Sequence, residues 1–168
     1  MNTADITSTL ETLYSELIDG APTTGAYMLN RGDPGLLASL EKLSARDASK
    51  TNDGGASIAA HVDHLRYGLS LMNRWSAGEK DPWADADWTA SWGRTAVSDK
   101  EWKQLRADLR DETHRWLKSL GTSRPMNDVE LNIFVGNVAH VAYHLGAIRQ
   151  IDRATRGPKE EEAQLRSR

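Results

Sequence analysis

The sequence predicts an all-α protein: an antiparallel four-helix bundle with an extra short helix and a Trp-rich connection between main helices 2 and 3. Three observations predict it. Apolar residues recur at helical intervals in four long segments. Those segments open on capping residues, Ser57, Ser98 and Asn127, or close on glycines, Gly20, Gly78 and Gly121. No stretch carries a convincing strand pattern, and no internal repeat is visible. At 168 residues the chain is long enough for one domain with a real core and short for two. The expected organisation is a single helical domain over 1–156 and a frayed, charged tail over 157–168.

"TADITSTLETLYSELIDG" spaces Ile6, Leu10, Leu13, Leu17 and Ile18 for a helix from about Thr3 to Asp19. "APTTGAYMLNRGDPG" is rich in Gly and Pro and reads as a loop. Asp33-Pro34 then starts a short helix through Leu36, Leu37, Leu40 and Leu43. "SARDASKTNDGGA" reads as a polar connector with a turn at Asn52-Asp53-Gly54-Gly55. Ser57 caps "IAAHVDHLRYGLSLMNRW", where Ile58, Val62, Leu65, Leu69 and Met72 share one arc. Trp83, Trp88 and Trp92 follow in a long irregular connection. Three tryptophans there imply a segment folded back on the body. Ser98 to Glu101 is a capping box. It opens a helix with Trp102, Leu105, Leu109, Trp116, Leu117 and Leu120 on one face. Asn127 with Glu130 is box-like again, and the last helix is expected to run from about Asp128 to Ala154.

Composition removes several function classes. The chain is 39% apolar and 27% charged, which is ordinary for a globular protein. Net charge is −3 with scattered basic residues, so nothing favours nucleic acid. No apolar run is read as a membrane span and no signal peptide is visible, so a cytoplasmic location is expected. There are no cysteines. Disulfides, thiolate metal sites and a cysteine nucleophile are therefore excluded, and any thiol chemistry needs a thiol brought in by another molecule.

Metal, if bound, must sit on His, Asp or Glu. His140 and His144 lie four apart on the last helix, so their side chains are one turn apart and can reach one ion. They flank the stripe of Leu131, Phe134, Val138, Val141, Leu145 and Ile148. His64 flanks the stripe of its own helix, and His61 lies nearer that stripe's centre. One imidazole from the second main helix and two from the last would leave coordination positions open, as in catalytic sites. His114 faces away from its helix's stripe and reads as a solvated surface residue. A zincin is excluded because Val141 stands where its Glu is required, and a di-iron bundle because no Glu-x-x-His occurs. Arg149, Arg153 and Arg156 complement the C-terminal end of the last helix, or bind an anionic cosubstrate.

"HVAYHLGAIRQI" resembles the signature of the DinB/YfiT-like superfamily, a His-x-x-x-His pair followed by Gly and an Ile-Arg-Gln-like stretch on the last bundle helix. "SIAAHVDHL" is similar to that family's other motif, a helix opening with Ser and carrying a His-Leu pair seven residues on. The resemblance puts the third ligand on His64, so the implied metal set is His64, His140 and His144. It implies a divalent metal ion, zinc or nickel, and a homodimer. It also implies a transferase that uses a low-molecular-weight thiol as cosubstrate, or a hydrolase activating water, acting on a small-molecule substrate. The Trp-rich insertion departs from the family's simplest pattern. Two alternatives stand beside this reading: a non-catalytic, stress-related metal-binding bundle, and a metal-free small-molecule binding module. The dimer expectation also rests on the broad apolar arc of the last helix, Leu131, Val135, Ala139 and Ala142, with Gly136 allowing close approach. The competing expectation is that the short helix around Leu36, Leu37 and Leu40 covers that arc within one chain.

Overall fold

The computed structural model describes residues 3–122 and 127–159. Among these the chain is all-helical. Six α-helices follow one another: α1 (Thr3–Asp19), α2 (Gly35–Glu41), α3 (Ala45–Ala48), α4 (Ile58–Ser76), α5 (Asp99–Leu120) and α6 (Asp128–Ile151). Two short 3-10 turns, Ala90–Trp92 and Arg153–Thr155, complete the set.

The caps behave as their side chains dictate. Ser57 accepts from the Ala60 amide, and both predicted capping boxes, Ser98 with Glu101 and Asn127 with Glu130, are formed. Each takes up amides that the first helical turn leaves without partners. Gly20 ends α1 at φ +109, where a side chain would also meet the Asp33 carbonyl at 2.5 Å. One turn was not expected: the polar connector after Leu43 contains α3, opened by a third capping box between Ser44 and Asp47. A four-residue helix is too short to show periodicity, and only the Ser-x-x-Asp spacing marks it. The last helix ends at Ile151 rather than near Ala154. Asp152 leaves helical geometry and turns its carboxylate onto the Ala154 amide, starting the 3-10 turn.

One core draws on every helix. It joins Leu10, Tyr14 and Leu17 of α1, Leu36 and Leu40 of α2, Leu65 and Leu69 of α4, Trp102 and Trp116 of α5, and Phe134, Val141 and Leu145 of α6. α4 packs most extensively on α5, while α6 packs on α1 and α4. α2 packs chiefly on α1, so Leu36, Leu37 and Leu40 are buried there. The outward arc of α6 is left open: Val135 is 49% exposed and Tyr143 66%. By length and apolarity alone α6 would suffice to cross a membrane, which corrects the expectation that no segment would; its inner face belongs to the shared core.

The chain beyond Arg156 is docked before it leaves the described residues. Asn30 donates to the Pro158 carbonyl at 2.9 Å, and Gly157 passes so close to Asp33 that a Cβ there would fall 1.8 Å from its Oδ2. The expected frayed tail therefore starts later than 157, and residues 160–168 lie outside the described residues.

Candidate metal centre

α4 and α6 bring three histidines to one point. His64 is 8% exposed, His144 1%, and His140 is half-buried. One ring nitrogen from each lies within 4.8 Å of the other two, close enough to hold one metal ion. His140 Nε2 and His144 Nε2 are 2.9 Å apart. Two nitrogens bound to one ion at ~2.1 Å and a tetrahedral angle would be about 3.4 Å apart, so this pair already has near-ligand spacing. The sequence places both α6 histidines at the flank of the stripe. The structure differs for His144, which is buried outright among its neighbours.

The hydrogen bonds around the cluster select ring tautomers. Ser91 Oγ donates its single proton to the Trp88 carbonyl at 2.6 Å. Its 2.8 Å bond to His64 Nδ1 must then be accepted from the ring, so His64 carries its proton on Nδ1 and leaves the Nε2 lone pair free. His144 Nδ1 faces His61 Nδ1 at 2.8 Å. With the proton on Nδ1 of His144, His61 accepts it and the Nε2 of His144 is free toward His140. His61 thus stands behind His144 rather than beside His64. Such bonds to the far nitrogen of a ligating imidazole fix its orientation.

Burial also keeps these rings uncharged. It pushes His61 and His140 below the usual imidazole range. His64 is pushed down to about 4, first by burial and then by its neighbours His140 and His61. His144 is lowered further, again first by burial, with the other three histidines adding to it. Neutral imidazole is the form that binds metal.

The Trp-rich connection closes one side. Trp92 stacks on His64 with ring centroids 4.2 Å apart and lies edge-on to His61 at 5.2 Å. Arg94 pairs with Asp63 at 2.9 Å, and the Asp87 amide donates to Tyr67 Oη, so the segment is pinned to α4 at several points. Trp83 and Trp92 are half-buried, but Trp88 remains 41% exposed. Neither Ser91 nor Asp63 was singled out from the sequence. A serine between two tryptophans carries no signal by itself, since its role depends on the loop's return to α4.

His114 lies apart from the cluster, half exposed and bonded to Asp19 at 2.9 Å. Arg149 is not free for a cosubstrate: it pairs with the buried Asp33 at 2.6 Å, and Arg156 bonds the Arg149 carbonyl. Comparison with protein-family models, with curated proteins and with solved structures finds no match to this chain.

Proposed function

We propose that the chain is a metal-dependent enzyme, an antiparallel four-helix bundle of the DinB/YfiT-like kind. In this reading His64, His140 and His144 hold a divalent ion, zinc or nickel, through their Nε2 atoms. The observation that carries it is the convergence of three neutral imidazoles with the tautomer of His64 already set by Ser91. Three protein ligands leave positions open for a small molecule. When bound, a divalent ion there supplies Lewis-acid chemistry, lowering the pKa of a thiol or a water that coordinates it.

The chain's own residues do the rest. His61 and Ser91 orient the ligands, Trp92 shields His64 from water, and the α4–α6 cleft admits the substrate. With no cysteine in the chain, the thiol is a cosubstrate of low molecular weight. In the transfer a carbon–sulfur bond forms, the leaving group departs with its bonding electrons, and the thiol proton passes to solvent. With water in place of the thiol the same site performs hydrolysis. The open arc of α6 around Val135 and Ala139 supports a homodimer, read by light scattering as twice the 18.6 kDa of one chain.

Elemental analysis of untagged protein tests the metal directly. One ion per chain is expected, removable by chelation. His64→Ala, His140→Ala and His144→Ala are each expected to weaken nickel binding at least about 100-fold, and His114→Ala to leave it unchanged. Full retention in any of the first three overturns the site. Thiol consumption in the presence of an alkylating electrophile then separates an enzyme from a non-catalytic metal protein.

A further inference from the structure

Beside the histidines lies a cavity of about 500 Å³ between α4, α6 and the Trp-rich connection. Its size suits a small organic molecule. Trp83, Trp88, Met72 and Ile133 line it, and His140 borders it. Asn137, three residues before His140 on α6, lines it too, so the two side chains stand on one helix face. Asn137 is 7% exposed, and its Oδ1 is closed off inside the protein. The atom left accessible is Nδ2, which makes no hydrogen bond among the described residues. The amide nitrogen carries two donors, and orphaned buried N–H groups are rarer than under-satisfied carbonyl oxygens. The amide therefore turns its nitrogen, rather than its oxygen, to the open side.

We propose that this cavity binds an aromatic carbonyl compound, its ring against Trp83 and Trp88 and its carbonyl oxygen accepting from Asn137 Nδ2. The tryptophans and the apolar side chains beside them favour a flat ring. A ring without an acceptor would dry the Asn137 N–H groups and leave them unmet, which is costly; a carbonyl oxygen restores the bond that water made. The acceptor then lies one helical turn from His140. Binding stands on the cavity alone. That the bound compound is the substrate rests on the reading of the histidine cluster as the reacting centre, because His140 belongs to both.

Two glycines shape the cavity. A Cβ at Gly68 would touch Trp88 at 3.6 Å, an ordinary contact, so that ring lies against the bare backbone of α4. Gly136 lines the cavity from α6, and a Cβ there would meet nothing within 4 Å. Gly136→Phe therefore adds a ring to the lining without a clash at the backbone, and removes a helix-disfavouring glycine from α6. It is expected to fold as well as the parent.

Nuclear magnetic resonance on the full chain in chelator tests this with acetophenone and α-methylstyrene. The second has the shape of the first with a methylene in place of the carbonyl oxygen, so it offers no acceptor. Acetophenone is expected to saturate one site per chain and to shift the Asn137 Nδ2 protons downfield, while α-methylstyrene shifts the ring protons of Trp83 and Trp88 without that change. The two probes differ in their own hydration, so the telling quantity is the ratio of their affinities in parent and variant. In Asn137→Leu that ratio should move about ten-fold against acetophenone, the size of one net hydrogen bond. Gly136→Phe should weaken both probes at least about ten-fold. Circular dichroism melting checks both variants, and if Asn137→Leu fails to fold, the Asn137 resonances of the parent and Gly136→Phe still decide. Absence of binding at about 10 mM acetophenone, unmoved Asn137 Nδ2 protons at saturation, an unchanged ratio in folded Asn137→Leu, or unchanged binding in Gly136→Phe overturns the proposal. A separate nickel titration keeps the two readings apart. Nickel binding without acetophenone binding removes the pocket alone. The reverse result leaves the pocket standing as a binding site and removes the metal centre.

Discussion

Both long connections, 20–34 and 77–97, fold back on the helices, but they are held by opposite means. The first is gathered by carboxylates. Glu16, 4% exposed on α1, accepts from the amides of Tyr27, Met28 and Leu29, and Asp33 bonds both the Gly35 amide and Arg149. The second is held by side chains of α4, and one of these is an imidazole of the histidine cluster: Ser91 bonds His64 and Trp92 stacks on it. Among the described residues, none of these ties of the first connection involves that cluster. The difference teaches how to separate stability from function here. Damage to 20–34 should unfold the protein without touching the site, and damage to 77–97 should reach the site with little effect on the fold.

The largest expected effect lies on the stability side. Glu16→Ala leaves three backbone amides without their charged acceptor, at a cost of about 3 kcal/mol. Thermal melting should fall by roughly 6–12 °C. Nickel affinity, measured where the variant is still folded, should match the parent. A variant that melts normally, or that folds but has lost metal, breaks the distinction between the two connections.

The second effect is on pH. In the unfolded chain the clustered histidines return to about 6.5. In the fold they are held lower, His64 at about 4, mainly by burial. Between those values the unfolded state binds protons that the folded state refuses, so stability is present above pH 6.5 and is lost as pH falls below it. Urea titrations of the metal-free protein at pH 7 and pH 5 read this directly. His64→Gln should flatten the dependence. A parent as stable at pH 5 as at pH 7 would show that the cluster is more solvated than its packing indicates. The 20–34 connection holds no histidine, so damage to it should leave this dependence in place.

The same contrast explains what could be read from the sequence. Helix positions and caps were legible because each depends on residues within one turn: Ser57, Ser98 and Asn127 stand three places from the amides they accept. The meeting of His140 with His144 was legible for the same reason, as both lie on one helix. The arrival of His64 at the same point needed the helix pairing, and the motif resemblance named it where periodicity left His61 open. What was not legible depends on chain return. Glu16 was not singled out from the sequence, because only the loop's return brings three amides to it. Arg149 reads as a dipole-complementing cation until Asp33 arrives from more than a hundred residues away. The expectation that the three loop tryptophans fold back on the body holds: Trp83 and Trp92 are half-buried, and Trp88, though 41% exposed, packs against Tyr67 and His64 of α4.

The smaller effects belong to the 77–97 connection. Ser91 lies 6% exposed between the Trp88 carbonyl and His64 Nδ1, and its one proton is already given to the former. Ser91→Ala leaves the His64 N–H without its acceptor, and the ring loses the bond that keeps Nε2 bare. Loss of such a supporting bond weakens metal binding about 10–100-fold. The substitution removes one hydroxyl and leaves one buried N–H without its acceptor, so the metal-free protein should lose about 1–2 kcal/mol, less than Glu16→Ala. Ser91→Thr keeps the hydroxyl and should restore most of the affinity. Trp92→Leu preserves that bond and removes only the stacked ring, so a few-fold loss is expected. Competition against a chromophoric chelator ranks the three variants. Should Trp92→Leu weaken nickel more than Ser91→Ala does, the connection would be acting on the site by excluding water rather than by holding the His64 tautomer.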